Sequence, residues 1–281
     1  MKVVLAGAFG KQGSDLLRAL VAQGYEVVAA GRKIKEIPEL KGKYISKQID
    51  ITDASGIKGL CDGADAVIST VGLTSSSASV TNYDVDYRGN LNLLQEANRS
   101  GVSKFAYISV LKADGDPSVP MLHAKKLFEE ELKSSGIPYV IFRPTGFFYD
   151  IAKVFMPMID KGTVTLLGKK DVHANVIDTS DLAEFIVEHL GDRNETYNIG
   201  GKETYSYEEI ARMFFQAAGK EPVIKRAPVF LFSVLAAMAK WKKNGKEAVI
   251  RFSKWTLSNE MVAEHRYGKL SFKEYIKNCY K

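Results

Sequence analysis

Cysteine is almost absent from this chain, with two in 281 residues. Cys61 and Cys279 lie far apart in the sequence and have no metal-ligand spacing. This excludes a protein held together by a disulfide framework and gives no sign of a cysteine-based metal centre. We therefore predict a reduced, cytoplasmic protein without a metal site.

Long hydrophobic runs are absent as well. No window contains eighteen uninterrupted apolar residues, so we expect no transmembrane helix. The N-terminus enters the segment MKVVLAG directly, and we expect no signal peptide. Apolar residues still make up 46% of the chain, as in an ordinary globular core. The length suits one large α/β domain, alone or with a small lobe.

Acidic residues are scarce near the C-terminus. From Lys220 onward the chain has 14 Lys and Arg against 5 Asp and Glu, a net charge of +9, whereas the preceding part has 25 against 28, a net charge of −3. A solvated basic surface is the simplest interpretation, and contact with an anionic partner or membrane surface is the alternative. No DNA-binding motif is present, so we expect no nucleic-acid partner.

One stretch of this basic region is strongly apolar. The segment Val229–Ala239 is apolar on nearly every side and is followed by a run of lysines. It is too short to span a bilayer. We expect it to be buried under the C-terminal lobe. The alternative for residues 229–246 is a peripheral contact with an anionic membrane, or a subunit interface.

Glycine, in contrast, is concentrated at the start of the chain. Gly7, Gly10 and Gly13 follow one another at three-residue spacing. They separate the short apolar segment Val3–Ala6 from a run with apolar residues at helical spacing. A second short apolar segment, Val27–Ala30, completes a strand–helix–strand unit, which is the context that a glycine-rich nucleotide-binding turn requires.

Each glycine has a role in such a turn. Gly7 allows a sharp turn after the strand, Gly10 allows backbone N–H groups to approach a pyrophosphate, and Gly13 allows the helix to pack close to the strand. The helix N-terminus favours the negative charge of the phosphates. We therefore predict dinucleotide binding, and a purely structural turn is the alternative.

The GxxGxxG spacing resembles that of extended and atypical short-chain dehydrogenases/reductases. The segment NLLQEANRSGVSKFAYIS, residues 92–109, is similar to the matching region of the atypical branch. That branch includes NmrA-like, divinyl-chlorophyllide-reductase-like and NAD-dependent epimerase-like NAD(P)-binding proteins. The resemblance covers nearly the whole chain, closely up to about residue 150 and more loosely afterwards.

Repeated alternation of apolar strands and helices predicts an α/β fold with a doubly wound parallel sheet, which binds ligands beyond the carboxyl ends of its strands. The resemblance implies an NAD(P)-binding Rossmann fold with a small C-terminal substrate lobe. We expect Thr74–Thr81 to form a flexible loop over the site and Asp181 to cap a helix. The expected core comprises residues 1–144 and 173–200, and the expected lobe comprises residues 145–172 and 201–281.

The end of the second strand predicts which nucleotide is bound. An NAD site usually has Asp or Glu there to bind the ribose hydroxyls, but this chain has Arg32 and Lys33. Arg32 could form a bidentate pair with a 2′-phosphate, and Lys33 would add positive charge. We predict NADP rather than NAD; the alternative for Arg32 is an exposed loop cation. By resemblance Asp50 would bind the adenine amino group, and Asp53 could cap a following helix.

The resemblance places the chemistry on the segment MLHAKKLFEEELKSSG. In the family a Tyr-x-x-x-Lys pair acts here: the tyrosine transfers the proton, and the lysine lowers the pKa of the tyrosine and holds the ribose. This register selects Lys125, with Glu129 four residues later, and places Met121 at the tyrosine position. Methionine cannot donate a proton. Members of the atypical branch share this loss; some reduce substrates, and others bind the dinucleotide and only regulate.

Three residues are candidates for the chemistry. Lys125 would hold the nicotinamide ribose or deliver a proton through water, and the alternative is a surface pair with Glu129. His123 could relay a proton or be a half-buried loop histidine. Ser109 could orient a substrate oxygen or simply end the fifth strand.

The remaining site predictions concern the sixth strand and the loop after the fourth. The backbone of residues 144–146 would lie against the nicotinamide, with Val71 and Gly72 beneath the cofactor. Residues Phe147–Tyr149 would line an apolar substrate pocket or belong to the core. The predicted cofactor-binding residues are Gly7, Phe9, Gly10, Lys11, Gln12, Gly13, Arg32, Lys33, Asp50, Ile51, Thr70, Val71, Gly72, Lys125, Pro144, Thr145 and Gly146.

Three functions are consistent with this sequence. The first is an NADP(H)-dependent oxidoreductase that reduces a small apolar carbonyl, enone or quinone-like substrate, with hydride carried by the cofactor. The second is a non-catalytic NADP(H)-sensing regulatory protein, which Met121 favours. The third is a nucleotide-sugar epimerase or dehydratase, whose chemistry normally needs the missing tyrosine. The sequence leaves open a monomer or a homodimer.

Overall fold

The computed structural model describes residues 1–73, 80–168, 171–241 and 246–281, and for residues 231–235, 240 and 246 it describes the backbone alone. Most of the loop expected at Thr74–Thr81 therefore lies outside the described residues. The described strands are β1 Lys2–Ala6, β2 Glu26–Gly31, β3 Ile45–Gln48, β4 Ala66–Ser69, β5 Lys104–Ile108, β6 Tyr139–Pro144, β7 Val164–Leu167, β8 His173–Ala174, β9 Glu195–Gly200, β10 Tyr205–Ser206, β11 Ile224–Ala227 and β12 His265–Arg266.

Helices connect many of these strands. Their bounds are α1 Lys11–Ala22, α2 Asn90–Arg99, α3 Pro120–Ser134, α4 Phe148–Asp160, α5 Thr179–Glu188, α6 Tyr207–Ala217, α7 Phe230–Trp241, α8 Lys246–Thr256 and α9 Phe272–Asn278. A short 3₁₀ helix spans Pro38–Leu40, and a π-helical turn, Tyr83–Gly89, leads directly into α2.

Eight strands form one parallel sheet in the order β12-β9-β6-β5-β4-β1-β2-β3. From β1 the chain builds outward through β2 to β3, and then returns to β4 on the other side of β1. The order of strands therefore reverses between β1 and β4, which is the switch point where sheets of this kind bind ligands. The predicted doubly wound parallel sheet is confirmed.

The central strands are apolar because helices cover both faces of the sheet. β4 is buried along its whole length, and β1 is buried beyond its first residue. On one face Leu16, Leu17 and Leu20 of α1 pack with α5 against the sheet. On the other face α2 and α3 supply a second apolar cluster. These two layers fix the positions of the strand ends, where the site residues lie.

A third apolar cluster lies in the C-terminal part. It joins α4, α6 and α9, with Phe155, Phe214 and Phe272 among its buried rings. Two small sheets accompany it, the antiparallel pair β8–β10 and the parallel pair β7–β11. Between α8 and α9 the chain returns to the main sheet as β12, beside β9. The division into core and lobe stays a prediction.

Two expected helix caps differ from the structure. Asp178, not Asp181, is the N-cap of α5, because its carboxylate accepts a hydrogen bond from the Ser180 N–H. Asp181 accepts instead from the N–H groups of Lys269 and Leu270. Asp53 precedes a series of turns rather than a helix and accepts from the N–H and the hydroxyl of Ser55.

The apolar stretch after residue 229 is only partly buried. Ala236 and Ala239 are buried in α7, but Phe230 is 63% exposed and Met238 is 48% exposed. The expectation that this stretch is buried under the lobe is therefore wrong for these two side chains. Within the described residues no helix is both long and apolar enough to cross a membrane.

Candidate active site

The glycine-rich turn joins β1 to α1 in a conformation that requires glycine at two positions. The Gly7 N–H donates to the Ala30 carbonyl oxygen at 2.9 Å, and Gly7 has φ +82°, a conformation that side chains disfavour. A Cβ at Gly7 would also fall 2.5 Å from Thr70 Oγ1. A Cβ at Gly13 would overlap the Gly7 carbonyl oxygen. Gly7 and Gly13 therefore allow the close turn that was predicted from their spacing.

The N-terminus of α1 is suited to an anion. Gly10 is the N-cap, it is exposed, and no acidic residue occupies the first turn. The first intrahelical bond is Ser14 N–H to the Gly10 carbonyl, so the N–H groups of residues 11–13 precede it. Gln12 is only 8% exposed, and its amide Nε2 and Oε1 have no hydrogen-bond partner within the described part of the chain. An orphaned amide beside free N–H groups fits a bound pyrophosphate.

The predicted residues of the nicotinamide side follow the carboxyl ends of β4 and β6. Thr70 lies against Gly7 and donates its hydroxyl to the Ala6 carbonyl at 3.1 Å. After β6, the Thr145 N–H donates to the Ile199 carbonyl and its hydroxyl donates to the Asn175 carbonyl. Because all these strands are parallel, the predicted residues 70–72 and 144–146 share one edge of the sheet.

The predicted residues of the adenosine side follow β2 and β3. Arg32 and Lys33 are exposed directly after β2, and within the described ranges neither has a recorded ion pair or side-chain hydrogen bond. Two free cations at this strand end are available to an anionic ligand. Phe9 packs beside Gly31, and its ring centroid lies 6.4 Å from that of Tyr44.

The predicted adenine-side residues Asp50 and Ile51 have different surroundings. Asp50 is half-buried, and its Oδ1 accepts from the Thr52 N–H at 2.9 Å and the Thr52 hydroxyl at 2.8 Å. Ile51 is buried beside Gly89, and its carbonyl accepts from Asn92. The role of Asp50 at the adenine stays a prediction.

Lys125 is buried at this same edge of the sheet. It is 7% exposed, and its Nζ lies 3.3 Å from Oδ1 of the fully buried Asp86. The ammonium also donates to the Tyr107 hydroxyl and to the Ile108 carbonyl, each at 3.3 Å. A Cβ at Gly72 would fall 3.3 Å from Lys125 Nζ, so the charge lies directly against the loop after β4. The alternative of a surface pair with Glu129 is wrong.

Asp86 holds this charge in place. Its Oδ2 accepts from the Leu73 N–H at 3.2 Å and from Asn82 Nδ2 at 2.9 Å, and its Oδ1 pairs with Lys125 without hydrogen-bond geometry. Burial, and then the carboxylates of Asp86 and Glu129, raise the pKa of Tyr107 well above its usual value. The Tyr107 phenol therefore stays protonated beside the ammonium.

Glu129 belongs to a different buried group. Arg143 donates to it through Nε at 3.0 Å and through a terminal nitrogen at 2.6 Å, which is the strong bidentate geometry. Ser109 donates its hydroxyl to Glu129 Oε1 at 2.5 Å. The Ser109 hydroxyl thus already donates its proton to Glu129. The same hydrogen bonds connect the ends of β5 and β6 to α3. That arrangement leaves Ser109 Oγ less able to donate to a substrate oxygen.

His123 is half-buried and pairs with a residue of the π-helical turn. Its Nδ1 lies 2.9 Å from the Tyr83 hydroxyl, and the two rings meet edge to face at 5.8 Å. Met121 is half-buried one turn before Lys125. A tyrosine–histidine pair is therefore present two residues before Lys125, although the position that was expected to carry a tyrosine has none; the role of His123 stays a prediction.

The aromatic residues after β6 have different surroundings. Phe148 is buried in the third cluster against Phe272, so it belongs to the core and not to a pocket lining. Phe147 stacks on Tyr149 with ring centroids 5.8 Å apart, and Lys153 lies over the Tyr149 ring. Burial raises the pKa of Asp150. Phe147 and Tyr149 remain candidates for a substrate pocket.

Sequence reasoning missed Asp86, Tyr83 and Arg143. Nothing in the sequence near these residues shows which acid faces Lys125 or which hydroxyl faces His123. The motif register alone pointed to Glu129. Within the described ranges, no group of three His, Cys, Asp or Glu residues is arranged to hold a metal ion.

Comparison with known proteins agrees with this geometry. The sequence model of a family described as NAD(P)H-binding matches residues 7–193. The chain is 25% identical to the photosystem II assembly factor Ycf39 of Guillardia theta, over 94% of this chain and 88% of that protein. It is 27% identical to the divinyl chlorophyllide a 8-vinyl-reductase of Oryza sativa subsp. indica, over 85% of this chain and 65% of that protein.

A solved structure shows the same fold. The NADPH-dependent quinone oxidoreductase QOR2 of Escherichia coli, in complex with NADPH, matches with a TM-score of 0.74 at 17% identity, covering 99% of this chain and 100% of that one. The family model and the match with divinyl chlorophyllide reductase confirm the resemblance to divinyl-chlorophyllide-reductase-like NAD(P)-binding proteins.

Proposed function

Because the chain belongs to the NAD(P)H-binding family, we propose that it is an NADP(H)-dependent oxidoreductase that reduces a small apolar carbonyl, enone or quinone-like compound. The dinucleotide would lie along the carboxyl edge of the sheet, with its pyrophosphate at the N-terminus of α1. Gly10 and the unpartnered amide of Gln12 would face the pyrophosphate.

Arg32 and Lys33 support NADP as the cofactor. They replace the acid that a ribose 2′-hydroxyl would need, and they lie exposed at the end of β2. A 2′-phosphate would accept two parallel hydrogen bonds from the Arg32 guanidinium, whereas an acidic side chain at this position would have no N–H donors and would repel the phosphate.

The burial of the Lys125 ammonium is the observation that best supports a reductase. A buried ammonium costs several kcal/mol unless it is paired, yet Lys125 is kept at the site by Asp86, Tyr107 and the Ile108 carbonyl. Its charge would hold the nicotinamide ribose. It would also stabilise negative charge on a substrate oxygen as hydride is transferred to the substrate.

The proton for that oxygen needs a source other than Met121. His123, with Tyr83 bonded to its Nδ1, is the candidate donor, and Lys125 acting through water is the other.

A fluorescence titration with NADPH and with NADH tests the cofactor proposal. We expect the protein to prefer NADPH, and we expect Arg32→Ala to lower NADPH affinity at least about tenfold, or ~1.4 kcal/mol, while NADH affinity changes little. Lys58→Ala, an exposed cation between β3 and β4, is the matched control. Equal binding of NADH, or an unchanged Arg32→Ala variant, would refute the phosphate site.

NADPH oxidation with quinones, enones and aldehydes then tests the reductase. We expect turnover with at least one of these classes, and we expect Lys125→Met to lower turnover, cofactor affinity, or both, at least about tenfold. Unchanged kinetics in a folded Lys125→Met variant would remove Lys125 from the site. Far-UV circular dichroism of the variant distinguishes lost chemistry from lost structure.

A non-catalytic NADP(H)-sensing role is the second candidate. Met121 at the donor position and the commitment of the Ser109 hydroxyl to Glu129 favour it. The relatives named as photosystem II assembly factors are consistent with a protein that acts through partners. NADPH binding without oxidation by any compound tested, together with partner binding that depends on the NADPH/NADP⁺ ratio, would support this role over the first.

A further inference from the structure

Helix α7 turns an apolar face to solvent. Phe230 is 63% exposed, Met238 is 48% exposed and Trp241 is 83% exposed, and the small residue Ala237 is exposed between them. Exposed apolar residues that occur singly need no explanation, but a group on one element usually marks a surface that meets a partner. We call Phe230, Ala237, Met238 and Trp241 the docking face.

Helix geometry places these four residues together. At 3.6 residues per turn, positions 230, 237, 238 and 241 fall within an arc of roughly 100°. Ala236 and Ala239 lie on the far side of the helix and are buried. α7 packs against α8, which in turn contacts α3. The small alanines allow α7 to approach its neighbours closely, and the large side chains of Phe230, Met238 and Trp241 are exposed.

The stretch of sequence that contains α7 carries charge of one sign. Residues 222–246 contain no Asp or Glu. The same segment has six basic residues, which are Lys225, Arg226, Lys240, Lys242, Lys243 and Lys246. In the sequence the docking face therefore lies within a segment of net charge +6, and Trp241 lies between Lys240 and Lys242 along the chain.

We propose that the docking face of α7 binds the surface of an anionic lipid bilayer. The apolar side chains would enter the boundary between headgroups and acyl chains, with the lysines near the lipid phosphates. Tryptophan is well suited to this boundary because its ring is apolar and its indole N–H can bond to a polar group. A helix of 12 residues is about 18 Å long, so it would lie in the plane of the interface and not cross it.

A lipid surface fits this face better than a second copy of the chain. Two copies docked through α7 would bring two segments of net charge +6 together, and their repulsion would oppose association. An anionic bilayer neutralises the same charge. This proposal stands apart from the proposed oxidoreductase, since α7 contains none of the predicted cofactor-binding residues.

Vesicle binding tests the proposal with the full chain. The probes are vesicles of equal parts phosphatidylcholine and phosphatidylglycerol, and vesicles of phosphatidylcholine alone. The chain has two tryptophans, so the Trp255→Phe variant leaves Trp241 as the only indole reporter. We expect the protein to sediment with the anionic vesicles, the Trp241 emission to shift to shorter wavelength, and added salt to weaken binding.

Two double variants distinguish binding through the docking face from non-specific binding through other exposed apolar side chains. Phe230→Ala/Trp241→Ala should lower the affinity for anionic vesicles at least about tenfold, because each ring loses apolar area that the interface would bury. Ile45→Ala/Leu270→Ala removes two exposed apolar side chains from elsewhere and should leave binding unchanged. All four side chains are exposed, so thermal unfolding of both variants should match the parent protein.

Three results would overturn the proposal. They are absence of binding to the anionic vesicles, equal binding to both kinds of vesicle, and unchanged binding of the Phe230→Ala/Trp241→Ala variant. Analytical ultracentrifugation without lipid identifies the competing occupant: a dimer that the same variant abolishes would assign the docking face to a second copy of the chain. NADPH titration is independent of every one of these results.

Discussion

Gly10 differs from Gly7 and Gly13 in what a side chain would meet. Gly10 has φ −75° and ψ 171°, a conformation that alanine also adopts, and a Cβ there would touch nothing closer than the Gly7 carbonyl oxygen at 3.4 Å. At Gly13 the same Cβ would overlap backbone atoms. The protein alone therefore has room for a side chain at Gly10. A side chain there would collide only with a ligand that binds against the Gly10 backbone.

This contrast separates a binding role from a structural one. Gly10→Ala should change the free energy of unfolding by less than about 0.5 kcal/mol but lower NADPH affinity at least about tenfold. Gly13→Ala should lower the free energy of unfolding by about 1–3 kcal/mol, because the helix must move away from the turn. Urea unfolding and NADPH titration of each variant measure both quantities. Normal NADPH binding by Gly10→Ala would mean that the glycine turn is purely structural.

At the scale of elements, α6 shows how a short polar motif fixes where a helix begins. The Ser206 hydroxyl accepts from the Glu209 N–H, and the Glu209 carboxylate accepts from the Ser206 N–H at 2.7 Å. This capping box satisfies two N–H groups that the helix leaves without partners. The buried face of α6, with Phe214 and Phe215, then packs into the third cluster.

Removing the cap should loosen α6 and the cluster that depends on it. We expect Ser206→Ala to lower the free energy of unfolding by about 1 kcal/mol, within the usual range for a lost N-cap. Gln216→Ala, an exposed position in the last turn of the same helix, should be nearly neutral. Thermal unfolding followed by far-UV circular dichroism compares the two. A larger loss from Gln216→Ala than from Ser206→Ala would contradict this account of the cap.

At the scale of the whole molecule, the rate at which the Cys61 thiol is labelled would measure how often the helices separate from the sheet. Cys61 is fully buried in the cluster that α2 and α3 form on one face of the sheet. Burial raises the pKa of its thiol to about 12, so very little thiolate exists in the folded protein at neutral pH. Cys279, near the C-terminus, is half-exposed.

The two thiols should therefore react at very different rates. In Cys279→Ser, we expect labelling of Cys61 by a thiol reagent to be slow in buffer and to accelerate through the urea unfolding transition. In Cys61→Ala, Cys279 should be labelled faster under native conditions. Mass spectrometry of quenched samples gives both rates. Rapid native labelling of Cys61 would show that this face of the sheet opens without global unfolding.

Much of the fold was predictable because it depends on neighbours along the chain. The glycine spacing and the strand–helix–strand pattern placed β1 and β2 within one residue at each end, with a helix between them, and the parallel sheet followed from the repetition of such units. The presence of Arg32 in place of an acid is likewise evident from the sequence, because the residue closely follows the predicted second strand. Spacing of 2.0 and 3.6 residues is a local property, and burial of the patterned face enforces it.

The sequence by itself thus determined the doubly wound sheet and the candidate cofactor turn. Only the tertiary structure decided that Lys125 pairs with Asp86, that Glu129 is taken by Arg143, and that the exposed side of α7 is apolar. A charged side chain is stabilised by whichever opposite charge packing brings within a few ångströms, and packing joins segments that are distant in the chain. A helix that is apolar on nearly all sides carries no pattern to show which side faces solvent, so the surrounding elements decide it.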